Sequence, residues 1–416
     1  MPPSSRKCTS SGYFGQVAHS PDPFDSPVTL TSDAPATPFV DDRLEPPAGG
    51  WRGWAGALFA GLLAAALRIP RLGSPHAVMF DETYYVKDGL SLLHFGYEEG
   101  AVEGADAKLL ASGGHDTLNL FTGQPSYVVH PPLGKWIIGY SQEIFGATPF
   151  GWRLPMAILG IASVILTARI ARRLTNSNTI GTVAGILLAL DGLHITMSRT
   201  ALLDTPLSFF ALCAFGCLIL DRDYVRDRIR DGILHRGSWW RWGMALSLGL
   251  ACATKWSGLY FAVAFGALML YWDYTQRKQF LSNKPGSVWF KKDFLPALII
   301  PVIILETYLI SWTGWFQSKD AWNRNWSQGP SHWYLPNALK NLWHYHAEML
   351  NFHTHLVTPH AYKANPWTWP LMTRPTSFYY ASETTCGAPT CAQEVLPLGN
   401  PCLLYTSPSP RDQRGS

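Results

Sequence analysis

Residues 54–72 read WAGALFAGLLAAALRIPRL, and this stretch decides the fold class. About 20 apolar residues in a helix cross the roughly 30 Å hydrocarbon core of a bilayer. Further windows of this kind follow along the chain. The sequence therefore predicts an all-α polytopic membrane protein, with these windows as its later spans: 152–168, 180–197, 202–220, 239–272 and 294–312.

The overall composition conceals this membrane character. The chain has 416 residues, of which 47% are hydrophobic, yet its mean hydropathy is only +0.02. The two values agree because apolar windows alternate with polar and proline-rich stretches. Residues 1–50 are rich in Ser, Pro and Asp and lack a periodic apolar pattern, so we expect a disordered cytoplasmic leader there. A soluble globular protein is not expected.

Cationic residues between the windows indicate the topology. Short cytoplasmic loops are enriched in Lys and Arg, and three basic clusters therefore mark cytoplasmic loops. The alternation requires about seven spans, with 239–272 divided near Thr254-Lys255-Trp256-Ser257-Gly258. It also requires that 131–146 form an interfacial helix. The three clusters are Arg169, Arg172 and Arg173; Arg222, Arg226, Arg228, Arg230 and Arg236; and Arg277, Lys278, Lys284, Lys291 and Lys292.

An acidic pair, Asp81-Glu82, follows the first window on the predicted outer face. A carboxylate beside a lipid substrate can accept the proton of an attacking hydroxyl group. Asp81 is therefore the first candidate for a catalytic base. The alternative is that Asp81 caps a helix beginning near Thr83, because Asp satisfies free N–H groups at helix N-termini.

Several charged residues are predicted to meet at the same outer level. Charges that border membrane spans are costly and are usually functional. A ring of cations suits a lipid phosphate leaving group, although each cation alone could extend to lipid headgroups. His130 could donate to phosphate or sugar, or form a structural hydrogen bond before two prolines. The charged residues at this level are Arg68, Arg71, Arg153, Arg199 and Lys255, together with the carboxylate of Asp204.

The chain resembles the protein O-mannosyltransferases of the GT-C class of membrane glycosyltransferases, and in particular their actinobacterial branch. The resemblance covers about residues 51–401 and rests on several motifs in the same order. The motifs are Arg68; Phe80-Asp81-Glu82; His130-Pro131-Pro132-Leu133-Gly134-Lys135; Arg153-Leu154-Pro155; Arg199-Thr200-Ala201-Leu202-Leu203-Asp204; and Thr254-Lys255-Trp256-Ser257-Gly258.

The resemblance implies transfer of mannose from polyprenyl phosphate mannose to Ser or Thr hydroxyls of exported proteins, with inversion at the anomeric carbon. It makes Asp81 the base, with Glu82 supporting it or binding donor and acceptor, and Arg153 assisting at the lipid phosphate. The predicted donor site is completed by Arg68, His130, Lys135, Arg199, Asp204 and Lys255. The implied location is the cell membrane, with the active site on the extracytoplasmic face, and the secretion translocon is a possible partner. No nucleic-acid partner is expected.

Two domains and a tail are expected after the leader at residues 1–50. Residues 51–313 form the transmembrane domain, including an outer catalytic loop at 73–151, and 314–401 form an extracytoplasmic loop. Cys386 and Cys391 in that loop could form a disulfide, since this compartment permits oxidation. Residues 402–416 depart abruptly from membrane character, so a non-native tail on an incomplete chain is expected.

Two points stay open at this stage. Acidic pairs in related GT-C enzymes can hold a divalent metal, but oxygen-ligand sites usually need more carboxylates than this loop offers; no metal site is predicted.

The alternative functions are another GT-C transferase that acts on a lipid or a cell-wall glycan, and a transporter whose outer charges form ion pairs. Transporters often show repeated halves, and no such repeat is found in the sequence.

Overall fold

The computed structural model describes residues 50–231, 233, 237–281, 284–327, 329–331, 334, 336–357, 365, 367–368, 372, 374–383 and 391–400. The fold is mainly helical, with two small antiparallel sheets in which β1 pairs with β2 and β3 pairs with β4. The predicted leader and the predicted tail lie outside the described residues. The helices are α1 Arg52–Arg68, α2 Glu82–Phe95, α3 Ala105–Ala111, α4 Leu133–Phe145, α5 Pro149–Thr175, α6 Asn178–Ala189, α7 Gly192–Ser198, α8 Asp204–Arg230, α9 Trp240–Thr254, α10 Gly258–Phe280, α11 Pro285–Trp289, α12 Leu295–Ala297, α13 Ile299–Ser311, α14 Thr313–Gln317 and α15 Asn337–His355; the strands are β1 Glu99–Ala101, β2 Phe121–Pro125, β3 Tyr379–Glu383 and β4 Cys391–Val395.

Within the described residues, three helices are long and apolar enough to cross a membrane. They are Pro149–Thr175, Asp204–Arg230 and the continuous helix Pro285–Ser311, which contains a π turn at Phe290–Phe294. A bent pair, α6 and α7, makes a fourth candidate. The predicted membrane class is confirmed, whereas the count of seven spans stays a prediction.

The window 180–197 is not one straight span. Helix α6 ends at Ala189 and α7 begins at Gly192, with a bend of 62° between them. Asp191 is the N-cap of α7 and accepts a hydrogen bond from the His194 backbone N–H at 2.7 Å. An Asp cap starts a new helix by satisfying an N–H that the preceding helix cannot, and this explains the break.

The window 239–272 is divided where the motif predicted. Helix α9 ends at Thr254 and α10 begins at Gly258. A Cβ at Gly258 would lie 2.5 Å from the backbone nitrogen of Cys252, so glycine is required for the chain to turn this closely. Lys255 adopts an extended backbone conformation within the break.

Helices α2 and α4 pack closely together. Gly89 of α2 faces Gly139 of α4, and a Cβ at Gly89 would lie 2.9 Å from the Gly139 nitrogen and from the Lys135 carbonyl oxygen. On the other side of α4, Tyr140 and Ile144 are exposed while Lys135 and Gln142 are buried. An apolar exposed side on a short helix agrees with the predicted interfacial placement of α4.

Helix α15 packs over the segment that precedes α4. The Tyr345 hydroxyl donates to the Val128 carbonyl oxygen at 3.1 Å and accepts from the Val128 N–H at 3.1 Å. His353 Nε2 lies 3.1 Å from the Val129 carbonyl oxygen. Tyr345 is almost completely buried among Trp312, Trp315 and Leu342. These contacts fix α15 beside His130, which lies one residue further along the chain.

Candidate functional site

Asp81 occupies the N-cap position of α2, but its side chain makes no capping hydrogen bond. The capping alternative therefore does not account for this carboxylate. Asp81 is half-buried. Burial raises its pKa above the usual range, an effect increased by the negative charge of Asp204 and opposed by Lys255 and a hydrogen bond from Tyr85. A raised carboxylate pKa is characteristic of a general base.

Tyr85, Lys255 and Asp204 surround Asp81 with one donor, one cation and one further carboxylate. Tyr85 is buried one turn after Asp81 on α2, and its phenol pKa is raised by burial and by Asp81, so the hydroxyl stays protonated. Lys255 Nζ lies 2.9 Å from Asp204 Oδ1. The two side chains are 27% and 42% exposed, so this ion pair is accessible to a ligand.

Glu82 points away from this group and is completely buried. Its two carboxylate oxygens accept from Arg153 Nε and Nη2, both at 2.8 Å. They also accept from the backbone N–H groups of Met79 and Ala201, both at 3.0 Å. Arg153 donates further to the carbonyl oxygens of Leu72, Pro75 and Ala77. The Glu82–Arg153 pair thus fixes the loop before Asp81 through hydrogen bonds to its backbone. Both side chains have hydrogen-bond partners within the protein.

Arg68 and Arg199 are likewise engaged by helix ends. Arg68 is completely buried and donates to the carbonyl oxygens of Leu188 and Ala189, where α6 ends. Arg199 donates to the carbonyl oxygens at the end of α1, at 2.7 Å for that of Arg68 and 3.0 Å for that of Arg71. Carbonyl groups at a helix C-terminus lack intrahelical partners and bind cations favourably.

Lys135 lies in a separate buried cluster. It is 1% exposed and forms a short hydrogen bond to Glu98, with Asp88 Oδ2 at 3.7 Å. Burial raises the pKa of Asp88 to about 6, despite the nearby Lys135. Of the residues predicted for the site, the structure brings together Asp81, Asp204, Lys255 and His130, and places Glu82, Arg68, Lys135, Arg153 and Arg199 in supporting contacts.

His130 stacks on His353 of α15, with ring centroids 5.6 Å apart. Burial, with the positive charge of Lys255, lowers the pKa of His130 to about 3. His130 is therefore a neutral imidazole at physiological pH. His353 donates from Nε2 to the Val129 carbonyl oxygen. Two imidazole rings beside a lysine provide hydrogen-bonding groups for a polar ligand.

A long apolar groove of about 1070 Å³ begins at these residues. His130, His353 and Lys255 line one end, and the remaining walls come mainly from α10 and from the helix that includes α13. Along α10 the lining extends from Leu259 to Leu270, roughly 17 Å at 1.5 Å per residue. The groove therefore combines a polar end with a lipid-sized apolar body.

Among the described residues, no group of three or more His, Cys, Asp or Glu side chains is placed to hold a metal ion. Cys391 at the start of β4 is disulfide-bonded, whereas Cys386 lies outside the described residues. The pairing of the two cysteines stays a prediction. Cys213, Cys217 and Cys252 are free thiols within the helices.

A helical membrane fold with a half-buried carboxylate close to the polar end of a lipid-sized groove defines the class as a membrane glycosyltransferase with a GT-C fold. The chain belongs to the family described as dolichyl-phosphate-mannose-protein mannosyltransferase, whose model matches residues 58–313. A second model, the C-terminal four-span region of protein O-mannosyltransferase, matches residues 338–409. The predicted family is confirmed.

Relatives and one solved structure agree with this assignment. A polyprenol-phosphate-mannose–protein mannosyltransferase of Mycolicibacterium smegmatis is 36% identical, over 85% of this chain and 70% of its own length. Its namesake from Mycobacterium tuberculosis is 35% identical, over 91% and 73%. The Saccharomyces cerevisiae Pmt1–Pmt2 complex, solved with its sugar donor, has a TM-score of 0.50 and 19% identity, over 65% of this chain and 35% of that one. This last likeness supports the fold alone.

Tyr85, His353 and the apolar walls of the groove were not among the predicted site residues. Tyr85 had a detectable signal, because residues four apart on a helix lie on the same face, and it follows Asp81 by four. His353 had none, since its approach to His130 depends on how α15 packs against Val128 and Val129. The groove could not be predicted from hydropathy, because it depends on how far apart α10 and α13 lie in space.

Proposed function

We propose that this protein transfers mannose from polyprenyl phosphate mannose to Ser or Thr hydroxyls of exported polypeptides. The observation that carries the assignment is the position of Asp81. This half-buried carboxylate has no capping role, and the charges of Lys255 and Asp204 act on its pKa. The mycobacterial relatives bear the name of this activity. The family and the site thus support the same reaction.

The groove is the proposed binding site for the donor. Its apolar walls suit a polyprenyl chain, and Lys255 at its polar end supplies positive charge for the phosphate. Cationic groups are most effective where charge develops in the transition state. The imidazole rings of His130 and His353 are proposed to hydrogen-bond to sugar hydroxyls. Asp204 holds Lys255 in place through the 2.9 Å ion pair.

Asp81 is proposed to act as the general base. The acceptor hydroxyl gives its proton to the Asp81 carboxylate while its oxygen forms a bond to the anomeric carbon. The bond from that carbon to the phosphate oxygen breaks, and the lipid phosphate leaves with the electron pair. Attack opposite the leaving group inverts the anomeric centre. Burial favours this role because a raised carboxylate pKa increases affinity for the incoming proton.

Glu82 and Arg153 are proposed to support Asp81 rather than to bind substrate. Their bidentate contact is fully buried, and Arg153 binds three carbonyl groups of the loop that leads to Asp81. Arg68 and Arg199 join the ends of α1, α6 and α7 in the same way. The donor phosphate is therefore assigned to Lys255, a partly exposed cation whose charge acts on Asp81.

The proposed location is the cell membrane, with Asp81 on the extracytoplasmic side. The basic clusters at the opposite helix ends support this orientation, because cytoplasmic loops are enriched in Lys and Arg. The proposed acceptors are exported polypeptides, so the secretion translocon is proposed as the partner that delivers them.

The proposal predicts that Asp81→Asn abolishes mannosyl transfer. The amide keeps the shape of the side chain but cannot accept the proton. The measurement is transfer from radiolabelled polyprenyl phosphate mannose to a Ser/Thr-rich peptide in membranes that contain the full chain. Asp116→Asn is the matched control, since Asp116 is exposed and its left-handed backbone conformation, with φ 54°, accommodates Asn. Wild-type turnover by Asp81→Asn would refute the base. Transfer to a membrane glycan but not to peptide would favour the alternative acceptor class.

A further inference from the structure

The residue before the proposed base has an unusual backbone conformation. Phe80 has φ 47°, in the left-handed region that non-glycine residues rarely adopt. Such a conformation persists only where surrounding contacts hold it in place. From beneath, Glu82 binds the Met79 N–H and Arg153 binds the Ala77 carbonyl oxygen. These contacts fix the backbone on both sides of Phe80 but leave its side chain 40% exposed.

Phe378, almost 300 residues later, contacts this side chain. The rings of Phe80 and Phe378 stack with centroids 4.5 Å apart and planes inclined by 9°. Phe378 is itself only 8% exposed and packs in the core cluster that contains Tyr85 and Leu203. Its backbone N–H donates to the Val395 carbonyl oxygen at 2.9 Å, at the base of the β3–β4 hairpin. Phe378 is therefore fixed by the core and by its backbone hydrogen bond, and its ring in turn packs against the ring of Phe80.

We propose that Phe378 is a positioning residue for the base, because it fixes the strained backbone of Phe80 and thereby the direction of the Asp81 carboxylate. The inference rests on the proposed function, in which Asp81 accepts the proton. It extends the catalytic site to the β3–β4 hairpin, which lies beyond the helical domain in sequence. Phe378 touches no reacting atom and acts through Phe80.

The expected kinetic effect is specific to turnover. Phe378→Ala lowers kcat by about tenfold or more, because a small displacement of a catalytic group is costly, and leaves the KM for polyprenyl phosphate mannose unchanged. Phe378→Tyr retains the ring and restores kcat. Tyr380→Ala is the matched control, since Tyr380 is an aromatic residue of β3 that is 65% exposed. If Phe378→Ala fails to fold, Phe378→Leu replaces it, because leucine keeps the apolar volume without the stack.

A double-mutant cycle tests whether the effect passes through Phe80. Phe80→Ala and Phe378→Ala are measured singly and together, for kcat and for melting temperature in detergent. If the stack carries the effect, the double variant loses no more than the more impaired single variant. Losses that add, a normal kcat in Phe378→Ala, or a changed donor KM alone would overturn the inference. Asp81→Asn is assayed in parallel: if that variant is active, the proposed base fails, whereas if it is inactive beside a normal Phe378→Ala, only the positioning role fails.

Discussion

At the scale of single residues, the groups around Asp81 set the pH at which it can act. Tyr85 lowers the Asp81 pKa through a hydrogen bond, and Asp204 raises it through its negative charge. Transfer requires the ionised carboxylate, so the rate falls as the pH drops through this pKa. The two neighbours therefore act on the acidic limb of the pH–rate profile in opposite directions.

Tyr85→Phe should move that acidic limb to higher pH, because removal of the hydrogen bond raises the Asp81 pKa. Asp204→Asn should move it to lower pH, because removal of a like charge lowers the pKa. The measurement is the pH dependence of mannosyl transfer at subsaturating donor for both variants and for the wild type. Shifts in the same direction, or no shift in either, would contradict the assignment of Asp81 as the titrating base.

Arg153 gives a contrasting prediction for stability. Arg153→Ala leaves the buried Glu82 carboxylate without its cation, and a broken buried pair of this kind costs about 3–5 kcal/mol. We expect a large fall in melting temperature in detergent. Arg71→Ala, at an exposed arginine of the same outer level, should change stability by about 0.5 kcal/mol or less. A stable Arg153→Ala protein with impaired donor saturation would instead restore Arg153 to the phosphate site.

The sequence could identify candidate charged residues but not how each is used. Asp81 was identifiable because it follows an apolar window and precedes a helix. Arg68, Arg153 and Arg199 also lie at window ends, but their partners are carbonyl groups such as those of Ala189 and Ala77. Backbone acceptors are the same for every residue type, so no sequence motif distinguishes an arginine that binds them from one that binds phosphate.

At the scale of elements, breaks in helices place the site. The division between α9 and α10 was predictable, since Lys255 and Gly258 interrupt an apolar window that is too long for one span. The bend between α6 and α7 was not predicted, although Asp191-Gly192 in the middle of the window is a helix-start signal. The hydropathy is uniform on both sides of the bend and so gives no sign of it. Arg68, which contacts Ala189 and His194 across the bend, lies on another helix, α1.

The contact between α2 and α4 gives an element-scale prediction. Gly89→Ala should separate the two helices, because the added methyl group would lie 2.9 Å from backbone atoms of α4 that cannot move independently. Overpacking of this kind costs about 1–3 kcal/mol, and α2 carries Asp81. Melting temperature and transfer rate should both fall. Gly286→Ala is the control, since no atom lies within 4 Å of a Cβ there; equal effects of both substitutions would contradict close packing as the cause.

At the scale of the whole molecule, the arrangement of helices makes one prediction about sidedness. Helix α3 lies on the same side as the base, because Asp106 accepts from Thr83 at 2.5 Å and pairs with Lys87 at 2.6 Å, both on α2. The C-terminal end of α8 is at the other end of a 27-residue helix that begins at Asp204. A helix of this length spans about 40 Å, enough to cross the bilayer. Ala107 in α3 and Asp231 after α8 therefore report opposite faces.

Single cysteines at these two exposed positions test the proposed orientation. The background replaces Cys8, Cys386, Cys391 and Cys402 with serine, so that these native cysteines do not contribute to labelling. A membrane-impermeant maleimide added to intact cells should label Ala107→Cys, because the outer loop carries Asp81, and should label Asp231→Cys only after the membrane is opened. This result is expected because basic residues lie near Asp231, and loops rich in Lys and Arg remain in the cytoplasm. The reverse pattern would place Asp81 inside the cell, where exported acceptors do not pass, and would overturn both the orientation and the proposed acceptor class.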